Sequence, residues 1–250
     1  MKKLAAAFSL LSLCFSAIAQ QFTHADTLRG SNSRSRSWWD VTKYDLHVKF
    51  NLQDSTISGY NVISFNALKA DSLMQIDLQE PMIIDSMKFW DNVTMVNFSS
   101  NNFKKAGNAY FIDIPYLKIR AFAFQNKFSL TVYYHGKPKV AVKPPWDGGL
   151  IWAKDKAGNP WISIACQGLG ASVWYPCKDI QSDEPDSAEI HITAPSDLVA
   201  VSNGRLRNIA DNNDGTSTTS WAVVNPINNY NLIPYIGKYV HFGEIYNGEK

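Results

Sequence analysis

Tyr44-Asp45-Leu46-His47-Val48-Lys49-Phe50 alternates apolar and polar side chains without a break. A strand points successive side chains to opposite faces, so a period of two gives one face to a core and one to water. The same pattern spreads outward from this stretch. Residues 51–55 make a turn, and residues 57–66 are β-rich and can return beside the first strand. Residues 73–78, 82–90, 93–98, 109–114 and 128–134 continue the theme, as do 161–164, 190–193, 198–201, 206–209, 218–224 and 235–245. Asp211-Asn212-Asn213-Asp214-Gly215 reads as a hairpin tip. Residues 138–160, with Pro144-Pro145-Trp146-Asp147-Gly148-Gly149, read as a long, turn-rich connection. No segment keeps a helical period. Short strands separated by Gly, Asn and Asp turns predict an all-β domain over residues 38–250, a two-sheet sandwich or saddle. A membrane barrel would need strands of about 9–11 residues with lipid-facing alternation throughout. Many runs here are shorter, and Pro-rich loops interrupt them.

The ends bound the rest. Residues 1–19 read as a signal peptide: Lys2 and Lys3 precede an apolar run, and Ala17-Ile18-Ala19 is a small-x-small cleavage site. The expected location is therefore periplasmic or extracellular, after cleavage near Ala19. Without those two lysines the chain carries 22 basic residues against 22 acidic, which gives no electrostatic footprint for nucleic acid. Residues 20–37 are polar and aperiodic and read as an extended arm, its arginines solvated. Cys14 leaves with the signal. Cys166 and Cys177 read as free thiols, because a strand that turns Gln167 toward a cleft turns Cys166 toward the core.

Few residues promise chemistry. The histidines are His24, His47, His135, His191 and His241; none pairs with another at i, i+4, and there is no H-E-x-x-H motif. His47 and His191 read as solvated or hydrogen-bonded strand residues, and the expectation is that this chain binds no metal and no cofactor. Asp211–Gly215 mimics the start of a calcium loop, but position 12 of such a loop is Ala222 rather than Glu. Asp183-Glu184-Pro185-Asp186 reads as a solvated acidic loop. Ser172 lies in Gly170-Ala171-Ser172-Val173-Trp174, which is not a nucleophile elbow. There remains the stretch from Ala165 to Asp179, ACQGLGASVWYPCKD. Here a polar amide, Gln167, ends an apolar run and a glycine-rich bend follows, which is how a backbone presents one side chain to a cleft.

From Trp38 to Lys250 the chain resembles the amino-terminal domain of the aminopeptidase N (gluzincin) family of zinc metallopeptidases. Trp38-Trp39-Asp40-Val41 with Tyr44-Asp45-Leu46 is similar to the family's opening strand. The Gln167–Asp179 corner is similar to its substrate corner, with Pro176-Cys177-Lys178-Asp179 standing for Pro-Cys-x-Asp. Ile192-Thr193-Ala194-Pro195 followed by Ser202-Asn203-Gly204 is similar to its strand and Ser-Asn-Gly turn. The resemblance implies a β-saddle packed beside a catalytic domain in which zinc polarises the scissile carbonyl and activates water. It implies that Gln167 holds the free amino terminus of a peptide substrate. The family's Gln two residues earlier is Ala165 here, and its Arg before the aromatic-Pro-Cys run gives way to Ala171-Ser172. The expected function is thus the substrate-cleft domain of an exported zinc aminopeptidase, the chain being an inactive fragment without the zinc site. The alternative is a stand-alone secreted β-sandwich that binds carbohydrate or protein through Trp146, Trp152 and Trp161.

Overall fold

In the computed structural model, which describes residues 22–91, 93–115, 127–144, 146–244 and 248, Tyr44, Leu46, Val48 and Phe50 are buried and their neighbours face outward. They lie on β1 (Trp39–Asn51), which pairs with β2 (Thr56–Ala67). The chain continues through β3 (Leu73–Asp77), β4 (Ile83–Trp90), β5 (Met95–Ser99), β6 (Phe103–Ala106), β7 (Ala109–Asp113) and β8 (Lys127–Gly136). Then come β9 (Gly149–Lys154), β10 (Pro160–Ala165), β11 (Ser187–Pro195), β12 (Val199–Val201), β13 (Arg205–Asp211), β14 (Thr216–Val223) and β15 (Tyr235–Gly237).

The all-β expectation holds, but the sheets divide differently. One sheet has eight strands in the order β13-β14-β11-β1-β2-β8-β4-β5. Opposite it stand two pieces: β12-β15-β10-β9 and β3-β7-β6. A continuous apolar core joins all three, with Phe50 of β1 against Trp152 of β9 as one contact across it. Only β1 and β11 run parallel in the large sheet, with His47 level with His191. A parallel pair needs a long crossover. Here the chain between β1 and β11 builds most of the domain, including the corner at residues 166–186.

Three sequence expectations are corrected. Residues 138–160 contain β9, whose Gly149 (φ +143°) sits where a Cβ would meet the Lys139 carbonyl at 2.5 Å. The last strand stops at Gly237, well short of residue 245. The arm at 20–37 is not extended over its described part. Residues His24–Gly30 form helix α1 and Arg34–Ser37 the single turn α2. Thr23 and Asp26 close a capping box on α1, with Thr23 N–H to Asp26 Oδ2 at 2.8 Å and Asp26 N–H to Thr23 Oγ1 at 3.2 Å. That signature is present in the sequence, but helical periodicity was too short to reveal it. Residues 1–19, and with them the signal-peptide reading, lie outside the described residues. Among the described residues, no helix is long and apolar enough to cross a membrane.

The arm is tied down by charge. Arg36 is fully buried and its guanidinium pairs with Asp77 at the end of β3. It also donates to the carbonyls of Arg29 (2.9 Å) and Ser31 (3.1 Å), while Gln75 Nε2 donates to the Leu28 carbonyl at 3.0 Å. The two tryptophans after α2 finish the anchor. Trp38 Nε1 donates to the Leu73 carbonyl (2.8 Å), Trp39 Nε1 to that of Ser35 (3.0 Å), and both rings pack edge-on against Phe65.

Breaking a buried ion pair by removing one partner costs about 3–5 kcal/mol, because a charge is left uncompensated. Arg36→Met is therefore expected to lower the melting temperature sharply in a thermal scan. Arg34→Met removes an exposed side chain from a buried Asp71 that keeps the Ser72 and Leu73 N–H groups, and is expected to leave the melt almost unchanged.

Candidate substrate-binding corner

Gln167 does not end a strand. β10 stops at Ala165, and Gln167 lies exposed on a tight turn closed by the N–H groups of Leu169 and Gly170, which both donate to the Cys166 carbonyl at 3.1 and 2.7 Å. The side chain lines a cleft open to solvent, together with Asp26 and Arg29 of α1, Asp179 and Tyr230. Arg29 Nη2 donates to the Gly168 carbonyl at 2.7 Å, so α1 leans on the same turn.

The turn keeps its shape through Asp179. Its carboxylate accepts from the N–H groups of Ala171 (3.3 Å) and Ser172 (3.1 Å) and from Ser172 Oγ (2.6 Å). Asp179 N–H in turn donates to Asp77 Oδ2 at 3.0 Å. Gly170 has φ +87° and ψ 161°, a region open essentially to glycine alone. A Cβ there would lie 2.1 Å from Asp179 Oδ2. Ser172 is thus a buried prop for the turn rather than a nucleophile.

The Pro-Cys-x-Asp run is fastened to the rest of the fold on every side. Asp77 and Cys177 exchange backbone hydrogen bonds of 2.9 and 3.1 Å. Asn61 Nδ2 donates to the Pro176 carbonyl at 2.9 Å. Lys178 is buried: its ammonium donates to the Trp39 carbonyl, pairs with Asp183 and lies 4.5 Å from the Trp39 ring centre. Burial lowers the Lys178 pKa, opposed by the Asp183 charge. Asp183, expected on a solvated loop, is instead a buried counter-ion whose other oxygen takes the Val41 N–H at 3.2 Å. Cys166 and Cys177 are free and buried, as the sequence suggested. Burial, with the Asp179 charge nearby, pushes the Cys166 thiol up to about 12.

Residues 41–230 match the family model described as the Peptidase M1 N-terminal domain. The chain belongs to the M1 peptidase family. It carries the amino-terminal domain of the aminopeptidase N type, as the sequence resemblance implied. The M1 fold is seen again in an M1 zinc metallopeptidase from Deinococcus radiodurans, 18% identical, with a TM-score of 0.63 over 82% of this chain and 43% of that one. A mutant of that enzyme bound to a Tyr-Ser-Ala substrate matches at 19% identity and a TM-score of 0.61, over 81% of this chain and 43% of that one. The M1 domain here thus spans less than half the length of those enzymes. No curated protein sequence matches the chain significantly.

The corner of this M1 domain does not fit a catalytic zinc. A thermolysin-type site takes two His and a Glu on adjoining helices, whereas among the described residues the lining of the Gln167 cleft includes no histidine. The aromatic platform of the alternative reading is not assembled either: Trp146 is exposed, while Trp152 packs inward on Phe50.

Gly170→Ala is expected to lose about 1–3 kcal/mol from backbone strain alone, read as a fall in melting temperature. Gly168→Ala, where a Cβ meets nothing within 4 Å, is expected to melt like the wild type. Both thiols are expected to resist alkylation in the native protein and to label fully after denaturation, counted by mass spectrometry.

Proposed function

We propose that this chain is the substrate-cleft domain of an exported zinc aminopeptidase that removes amino-terminal residues from peptides, with Gln167 holding the free amino terminus. The observation that carries the reading is Gln167 itself. It is an exposed amide at an open cleft of an M1 amino-terminal domain, on a turn that Asp179 and Gly170 hold in one conformation. An amide oxygen accepts from an ammonium at about 2.7–3.2 Å. Fixing that ammonium fixes the register of the peptide, so the first peptide bond is the one delivered for cleavage. Asp26 and Asp179 line the same cleft against Arg29, so acidic groups outnumber basic ones along the described lining.

In such an enzyme the zinc chemistry belongs to a catalytic domain that packs against this one, and the chain by itself is inactive. The coverage of less than half of the related metallopeptidases supports that division. Export rests on the sequence of residues 1–19, with cleavage near Ala19 and a periplasmic or extracellular destination.

The test uses the full-length enzyme. Gln167→Ala removes a hydrogen bond to a charged group, worth about 1.5–3 kcal/mol, so kcat/KM is expected to fall roughly ten- to hundredfold. Gln167→Glu is expected to retain activity, because a carboxylate also accepts from an ammonium. An amino-terminally acetylated peptide is expected to bind wild type and Gln167→Ala alike. Unchanged kcat/KM in Gln167→Ala, with an unchanged thermal melt, removes the assignment.

A further inference from the structure

His47 and His191 are 144 positions apart in sequence, and the parallel register of β1 and β11 sets them side by side on the outer face of the large sheet. Their rings stack with centres 4.1 Å apart. Asp45, two residues before His47 on the same strand, shares that face. Its Oδ1 lies 3.1 Å from Nε2 of His47 and 3.1 Å from Nε2 of His191. That oxygen is shielded from solvent, and the two imidazole nitrogens are the polar groups that face it. Asp45, His47 and His191 each offer a ligand atom within 4.8 Å of the other two.

We propose that Asp45, His47 and His191 form a binding site for a divalent transition metal, Zn2+ foremost. Imidazole with carboxylate is a donor set that suits such an ion. Ligands held tetrahedrally at about 2.0–2.1 Å stand roughly 3.3–3.4 Å apart. The two 3.1 Å separations approach that edge length, and the stacked rings, inclined by 15°, turn out of their parallel planes to bring both Nε2 lone pairs to one ion. The surroundings orient the ligands. Ser220 Oγ lies 2.7 Å from His191 Nδ1, and the tautomer with its proton there presents the Nε2 lone pair to the metal. Tyr60 stacks on the other side of His47, ring centres 4.3 Å apart. Glu189 Oε2 is 3.6 Å from His191 Nε2 and offers a fourth oxygen, while Lys43 holds Oε1 of the same carboxylate at 2.9 Å.

Such a site would run against the sequence expectation that this chain holds no metal ligand. Its ligands come from β1 and β11, and it stands whether or not Gln167 binds an amino terminus. A bound ion would staple the parallel pair, to which the corner between the two strands is tethered. Binding only to the folded state would raise the melting temperature in step with metal concentration.

The experiment titrates the chelator-treated chain, free of any polyhistidine tag, with Co2+, and then displaces it with Zn2+. Visible d–d absorption is expected to saturate at one Co2+ per chain and to vanish on Zn2+ addition. His47→Gln and His191→Gln are each expected to weaken binding at least tenfold, with Ser220→Ala weakening it by about tenfold through the orientation of His191. His135→Gln, which removes a histidine paired elsewhere with Asp85, serves as the control and is expected to bind normally. Because the histidines face outward, circular dichroism should show all four variants folded. If a histidine variant fails to fold, Asp45→Asn is read in its place and is expected to show the same loss. Absence of saturable binding in the wild type overturns the site. So does wild-type affinity in both His47→Gln and His191→Gln.

Discussion

The Asp77 carboxylate is the junction on which the corner depends. It is buried at the end of β3 and receives the Arg36 guanidinium, the Gln75 amide and the Asp179 N–H. Its own backbone exchanges hydrogen bonds with Cys177. One residue therefore fixes the amino-terminal arm, the small three-stranded sheet and the Pro-Cys-x-Asp run against each other. Burial works against the charged form of Asp77, and the Arg36 charge offsets it. Such a pair contributes little net stability compared with an apolar substitute. Its effect is to make these parts interdependent, since losing any partner leaves a buried charge exposed to low dielectric.

From Asp77 the constraint passes outward in short steps. Asp179 is positioned through its N–H, and its carboxylate then collects Ala171 and Ser172. That carboxylate occupies the space a side chain would need at position 170. The result is a turn held by hydrogen bonds along its length, with Gln167 on its exposed side. A second clamp, the buried Lys178 between Trp39 and Asp183, holds the other flank to the start of β1. Both clamps are polar interactions inside an otherwise apolar core. They place a loop with a precision that packing of a flexible turn would not supply.

The outer face of the large sheet follows a different rule. There the parallel pairing of β1 with β11, the one parallel pair in that sheet, decides which polar side chains meet. His47 reaches His191 and Asp45 neighbours Glu189 because of that register. A shift of one residue would turn these side chains to the opposite face.

The sequence by itself determined the strands. Period-two alternation in β1, β2, β8 and β11 is visible because one face is dry and the other wet, and that contrast is written residue by residue. It also carried the Gln167–Asp179 motif and the inward orientation of Cys166, which are local. The docking of the arm was not legible. Arg36 and Asp183 look like solvated charges until the partners that bury them, Asp77 and Lys178, are brought in from other parts of the fold. β9 was hidden because the core packing of a short strand overrides a turn-rich composition. The grouping of Asp45, His47 and His191 was equally invisible. Strand register is set by the summed packing and hydrogen bonding of whole strands, so only the tertiary structure decided which side chains stand together.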